Sequence, residues 1–123
     1  MRIALVDDNA QIRLLLRTLF ESHPGCTVVG EADDGDTAAQ VVAESNADLA
    51  IVDFHMARVD GVEATRRIRQ ACPSAEIVAY TSTSDSSVAA AFLAAGATRH
   101  FNKTAIDDLV GYILSRDAAD RPV

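Results

Sequence analysis

The sequence has little of the material from which disulfides, zinc sites, membrane anchors or nucleic-acid surfaces are built. Its 123 residues include two cysteines, Cys26 and Cys72, far apart and without the paired spacing of metal ligands. They read as reduced packing residues of a cytosolic protein. Basic residues are outnumbered, 11 against 18 acidic, for a net charge of −7. That balance excludes nucleic acid or an anionic membrane as the main partner. No apolar stretch approaches the ~20 residues of a membrane span. The opening MRIALVDDN has an apolar run too short for a signal peptide and ends in two carboxylates, so the expected location is cytoplasmic. There is no internal repeat and no low-complexity segment. What is present is the composition of a soluble globule, 49% hydrophobic and 24% charged, in a length that suits one domain.

Strand-like and helix-like segments alternate. Ile3-Ala4-Leu5-Val6 is apolar throughout and stops at Asp7-Asp8; Leu49-Ala50-Ile51-Val52 stops at Asp53; Ile77-Val78-Ala79-Tyr80 stops at Thr81. Runs apolar on both faces suit a parallel sheet covered on both sides. Two more polar segments, at 27–31 and 98–102, suit edge strands. Between them lie stripes of helical spacing: Ile12, Leu15, Leu16, Leu19; Ala38, Val41, Val42; Ala64, Ile68, Ala71; Val88, Ala91, Phe92, Ala95; and Ile106, Leu109, Val110, Ile113, Leu114. Pro73 stops the third and Gly96 is the expected C-cap of the fourth. Strict alternation predicts an α/β fold, a flavodoxin-like, doubly wound, five-stranded parallel sheet with five helices. The order 2-1-3-4-5, with the first and third strands central and the second and fifth at the edges, explains which strands are most apolar. Residues 116–123 lack periodicity and read as a frayed end or the start of a linker.

In that frame Asp7, Asp8, Asp53, Thr81 and Lys103 all fall on the carboxyl rim of the sheet, where such folds bind ligands. Neighbouring strands are ~4.8 Å apart, which brings Asp53 within roughly 5 Å of the Asp7-Asp8 pair. Two carboxylates at that distance repel by about 3 kcal/mol at an effective dielectric near 20. The cluster therefore needs a cation, and an all-oxygen donor set suits Mg²⁺. A metal-bound carboxylate flanked by a hydroxyl and an ammonium suits capture of a phosphoryl group by Asp53. The bland alternatives are that Asp7 or Asp8 caps the first helix, Thr81 is a turn hydroxyl and Lys103 a solvated charge. The basic run Arg66-Arg67-Ile68-Arg69 reads as a solvated helix face.

Taken in order, these residues resemble the receiver domain of two-component response regulators. The resemblance runs from residue 2 to about 115 and rests on Asp7-Asp8, Asp53, Asp60-Gly61, Thr81 and Lys103 at matching element boundaries. It implies a receiver domain over residues 1–117, with 118–123 a tail or linker start. It also implies a signalling switch rather than a metabolic enzyme, one that catalyses only its own phosphorylation and dephosphorylation. Asp53 would be the phosphoacceptor, charged by a sensor histidine kinase or phosphotransfer protein. Asp8 and Asp53 would ligate Mg²⁺ with the backbone carbonyl of His55, and Asp7 would act through water. Thr81 and Lys103 would contact the phosphoryl group. The output face would be the fourth helix, fifth strand and fifth helix, also the expected surface for a homodimer. The segment Val28-Val29-Gly30-Glu31-Ala32 with Asp34-Gly35 is similar to receivers that precede a DNA-binding effector domain, which is absent here.

Four positions depart from the family pattern. Ala57 replaces a loop proline and should leave that loop less rigid. Thr104 replaces the proline after the lysine, so a trans Lys103–Thr104 bond is expected. Ser82 is bulkier than the usual Ala or Gly. His100 takes the place of the aromatic switch residue, with a smaller ring that can charge near neutral pH. These departures keep open an alternative, an interaction module of the same fold that works without phosphorylation. A phosphohydrolase would need a second acid where His55 stands, and a nucleotide binder would not place Asp7-Asp8-Asn9 against a phosphate.

Overall fold

A strand with no polar face must be covered on both sides, and here helices do the covering. The structure, a computed structural model, describes residues 1–120. Along it run β1 (Arg2–Val6), α1 (Ala10–Glu21), β2 (Thr27–Ala32), α2 (Ala38–Ser45), β3 (Leu49–Val52), α3 (Gly61–Ala71), β4 (Glu76–Thr81), α4 (Ser86–Ala95), β5 (Arg99–Asn102) and α5 (Ile106–Asp120). All strand pairs are parallel and the order is β2-β1-β3-β4-β5, the doubly wound arrangement expected.

Alternate residues of each central strand feed two separate cores. Ala4, Val6, Ala50, Val52, Ile77 and Ala79 face α2, α3 and α4, where Val42, Ile68 and Phe92 complete the layer. Ile3, Leu5, Leu49, Ile51, Val78 and Tyr80 face α1 and α5, meeting Leu16, Phe20, Leu109 and Ile113. The alanines on the first face let α2, α3 and α4 approach the sheet closely. The larger side chains on the second are worth about 1.5–3 kcal/mol each on full burial. Cys26 is buried, Cys72 half-buried, and neither is in a disulfide.

Helix ends follow local chemistry. Asn9 caps α1, accepting from the amides of Gln11 and Ile12, so neither Asp7 nor Asp8 is spent as a cap. Asp60 caps α3 and Asp85 caps α4. Gly96, at φ +121°, closes α4 as its C-cap residue. At the other end of the chain the structure departs from the aperiodic tail expected from residue 116. There α5 continues to Asp120. The apolar stripe does end at Leu114, but Asp117 is buried and pairs with the Met1 amino group at 3.3 Å, which holds the last turns against the start of β1. The remainder of the expected tail, residues 121–123, lies outside the described residues. No helix among the described residues is long and apolar enough to cross a membrane.

Candidate functional site

The register of the sheet assembles the site. Val6 is level with Val52 on the neighbouring strand, and the ladder continues one step as the Asp53 amide donates to the Val6 carbonyl at 2.9 Å. Asp7 and Asp53, the next residues on each strand, are thereby side by side. Carboxylate oxygens of Asp7, Asp8 and Asp53 lie within 4.8 Å of one another. On the far side β5 ends level with β4, Thr81 opposite Asn102, and the Lys103 amide donates to the Thr81 carbonyl at 2.8 Å. Lys103 then reaches back across β4. Its Nζ stands 3.0 Å from Asp7 Oδ2 and 3.2 Å from Asp53 Oδ2.

The three carboxylates differ in what they have left to offer. Asp7 is buried and both its oxygens are engaged, one by the Asn9 amide at 2.8 Å and the other by Lys103. Asp8 is exposed on the open side of the rim. Asp53 is 6% exposed; one oxygen accepts from the Phe54 amide at 2.8 Å and the other faces Lys103. Burial and the neighbouring Asp7 charge push the Asp53 carboxyl up, against Lys103 and the Phe54 amide. Burial works against the Lys103 charge, yet its bond to Asp7 and the field of Asp53 outweigh this and hold it above its ordinary value. One ammonium thus serves two carboxylates, and the third has no ion pair among the described residues. A hard divalent cation with oxygen preference, Mg²⁺, fits this donor set.

Of the residues expected here, the structure brings together Asp7, Asp8, Asp53 and Lys103. Thr81 is fully buried on the same rim, but its hydroxyl accepts from the Thr83 amide at 3.0 Å. Among the described residues that hydroxyl makes no hydrogen bond to Asp53 or Lys103. The His55 imidazole is exposed and sits edge-on to Phe54, ring centroids 4.7 Å apart, outside the carboxylate cluster. His100 is half-buried at 6.3 Å from the Phe92 ring, its Nε2 buried without a hydrogen-bond partner among the described residues, and burial pushes its pKa down.

Sequence patterns missed several residues that hold this site. Asn102 accepts from the Thr104 amide at 3.0 Å and donates to the Thr83 carbonyl at 3.3 Å, tying the two loops that carry Thr81 and Lys103. A proline at 104 would have no such N–H to give. The Lys103–Thr104 bond is trans, and no cis peptide bond occurs among the described residues. The Tyr80 hydroxyl donates to the Lys103 carbonyl at 3.2 Å. Gly61, which the sequence did mark through the Asp60-Gly61 pair, has no room for a side chain: an added Cβ would stand 1.8 Å from the Asp53 carbonyl oxygen. An Asn two or three residues ahead of an apolar stripe was the available sign for the Asn9 cap. The loop-to-loop bonds had no local sign.

The response regulator receiver domain family matches residues 3–113. The chain belongs to that family. Three similar proteins illustrate the range of contexts in which receivers occur. A protein-glutamate methylesterase/protein-glutamine glutaminase of Geobacter metallireducens is 38% identical over 94 residues, covering 76% of this chain and 27% of that protein. A two-component response regulator of Oryza sativa subsp. japonica is 36% identical over 118 residues, covering 94% of this chain and 93% of that one. The solved structure of a LuxR-family two-component response regulator from an Aurantimonas species superposes with TM-score 0.87 at 35% identity, over 99% of this chain and 88% of that chain. The receiver spans only 27–49% of the length of several curated relatives it matches. Its flavodoxin-like fold and its place among two-component regulators are therefore settled.

Proposed function

We propose that this receiver is a phosphorylation-controlled switch whose acceptor is Asp53, charged by a histidine kinase or phosphotransfer protein. The observation that carries the reading is the shared Lys103, 3.2 Å from Asp53 and 3.0 Å from Asp7, in a cluster whose three carboxylates carry two more charges than that ammonium offsets. In the transfer, an Asp53 Oδ attacks the phosphorus of the partner's phosphohistidine. An O–P bond forms, the N–P bond breaks, and the imidazole nitrogen leaves and takes a proton from solvent. Mg²⁺, held by Asp8, Asp53 and the His55 carbonyl with Asp7 acting through water, would offset repulsion between the carboxylates and the phosphoryl oxygens.

The chain's own groups do the remainder. Lys103, released from Asp53, pairs with a phosphoryl oxygen. The Thr81 hydroxyl gives up the Thr83 amide and turns to a second oxygen. That exchange frees the start of the β4–α4 loop, which Asn102 also holds, so charge at Asp53 is felt at α4 and β5. The output face formed by α4, β5 and α5 would then present a changed surface to an effector, to an output partner or to a second copy. No nucleic acid is contacted by the receiver itself. The cytoplasm is where such a kinase-fed switch works.

The test is incubation with acetyl phosphate, with and without Mg²⁺, read by intact mass. The expected result is a gain of one phosphoryl group that requires Mg²⁺ and is lost in Asp53→Ala. Undiminished labelling of that variant would remove Asp53 as acceptor. A wild-type chain that never labels would leave the phosphorylation-independent interaction module instead.

A further inference from the structure

The loop from β3 to α3 carries His55 and lacks the proline that would stiffen it at Ala57. It is nevertheless anchored at two points. At its stem the Gly61 amide donates to the Phe54 carbonyl at 2.9 Å. At its tip the anchor comes from another part of the chain, the β2–α2 loop. The Asp34 carboxylate, 2% exposed, accepts the Arg58 amide on Oδ2 at 2.9 Å and the Val59 amide on Oδ1 at 2.9 Å. The Asp36 amide adds a longer contact to Oδ1 at 3.4 Å, which orders the carboxylate within its own loop. The neighbouring Gly35 lets the two backbones touch, since a Cβ there would stand 2.4 Å from the Val59 carbonyl oxygen.

We propose that Asp34 is a positioning residue, its buried carboxylate clasping the Arg58 and Val59 amides so that the β3–α3 loop holds the His55 carbonyl ready for Mg²⁺ beside Asp53. The inference rests on the metal-dependent reading above. A carboxylate is the side chain this clasp needs, because it presents two acceptor oxygens to two separate donors and no donor of its own. Burial costs that charge, yet the three amides and the Arg58 guanidinium outweigh it and hold the carboxyl below its ordinary value. The Arg58 side chain is a different matter. Its ion pair with Asp36 is at 2.6 Å but largely exposed, 61% and 33%, and exposed pairs contribute little. The order of the loop therefore comes from Asp34 and not from the visible salt bridge.

The experiment compares the wild type with Asp34→Asn and Arg58→Ala by Mg²⁺ titration calorimetry, by the Mg²⁺ dependence of acetyl phosphate labelling, and by amide hydrogen exchange. Asparagine keeps the shape but turns an N–H donor toward one of the two amides. The expected result for Asp34→Asn is Mg²⁺ affinity weakened about 10-fold, the usual scale for losing a group that orients a ligand. Half-saturating Mg²⁺ for labelling rises in parallel, while the rate at saturating Mg²⁺ is retained. The Arg58 and Val59 amides, protected in the wild type, exchange fast. A merely structural loss would lower the active fraction and leave half-saturation where it was, and that outcome overturns the proposal. So does Mg²⁺ affinity within twofold of wild type, or Arg58→Ala weakening binding as much as Asp34→Asn. Where Asp34→Asn fails to fold, Gly35→Ala, which separates the loops and leaves the carboxylate, is read for the same change. A wild type that binds no Mg²⁺ refutes the metal-dependent reading itself, whereas a wild type that binds with an unaffected Asp34→Asn refutes only the clasp.

Discussion

Replacing Asp53 by Asn should stabilise the metal-free protein and destabilise it relative to wild type once Mg²⁺ is present. The sign follows from the geometry. Asp53 lies within 4.8 Å of Asp7 and Asp8. At an effective dielectric near 20 the buried Asp7 repels it by about 3.5 kcal/mol, and the exposed Asp8, screened by water, adds about 1 kcal/mol. Lys103, 3.2 Å away, offsets this by about 5 kcal/mol. Charge–charge effects thus cancel to within about 1 kcal/mol, and desolvation of a carboxylate only 6% exposed decides the outcome, consistent with its raised pKa. Asparagine keeps the acceptor for the Phe54 amide and has no charge to desolvate. Its expected gain is about 1–2 kcal/mol, or about 3–10 °C in melting temperature. At a Mg²⁺ concentration 100 times its Kd the wild type gains about 2.7 kcal/mol. The variant, short of one ligand, gains far less, so the order reverses. Melts followed by circular dichroism, in chelator and across a Mg²⁺ series, read both halves. A variant less stable than wild type in chelator, or equal shifts with Mg²⁺, would refute the reasoning.

Three further substitutions test other parts of the site. Gly61→Ala places a Cβ 1.8 Å from the Asp53 carbonyl oxygen and 2.8 Å from Phe92 Cζ, both confined, so urea unfolding should show a loss of about 3 kcal/mol. Asn102→Ala releases Thr104 and Thr83 together; it should cost about 1 kcal/mol and slow acetyl phosphate labelling roughly fivefold as Lys103 loses its support. His100→Phe removes a group whose pKa burial holds below 6.5. The unfolded chain takes up this proton first, so wild-type stability should fall as pH drops below 6.5, by at most about 1.4 kcal/mol per pH unit. The variant should lack that component of the slope, and parallel stability profiles for the two proteins from pH 7 to pH 5 would contradict it.

Much of this was legible in the sequence because the signals are local. The apolar runs ending at Asp7-Asp8, Asp53 and Thr81 mark strands that must be covered on both faces, and alternation with helical stripes leaves few sheet orders. Once the order is fixed, the rim cluster follows from the strand ends alone. What was not legible depends on loops meeting across the fold. Asp34 enters the sequence reading only through the Asp34-Gly35 pair, and nothing local ties it to Arg58 and Val59. Thr104 reads as a missing proline until Asn102 is seen to use its N–H. The end of α5 reads as aperiodic because its partners are distant in sequence: Asp117 meets the Met1 amino group and Arg116 meets Glu76 of β4. The strand end at Thr81 sets its hydroxyl on the rim, but its bond to the Thr83 amide depends on the conformation of the β4–α4 loop, which no spacing encodes.

The most direct measurement is chemical trapping of the acyl phosphate. After labelling with acetyl phosphate and Mg²⁺, borohydride reduction converts a phosphorylated aspartate to homoserine, which peptide mass spectrometry locates. The account predicts homoserine at position 53 alone, absent when Mg²⁺ is chelated. Homoserine at Asp7 or Asp8, or none at all from protein that binds Mg²⁺, would contradict it.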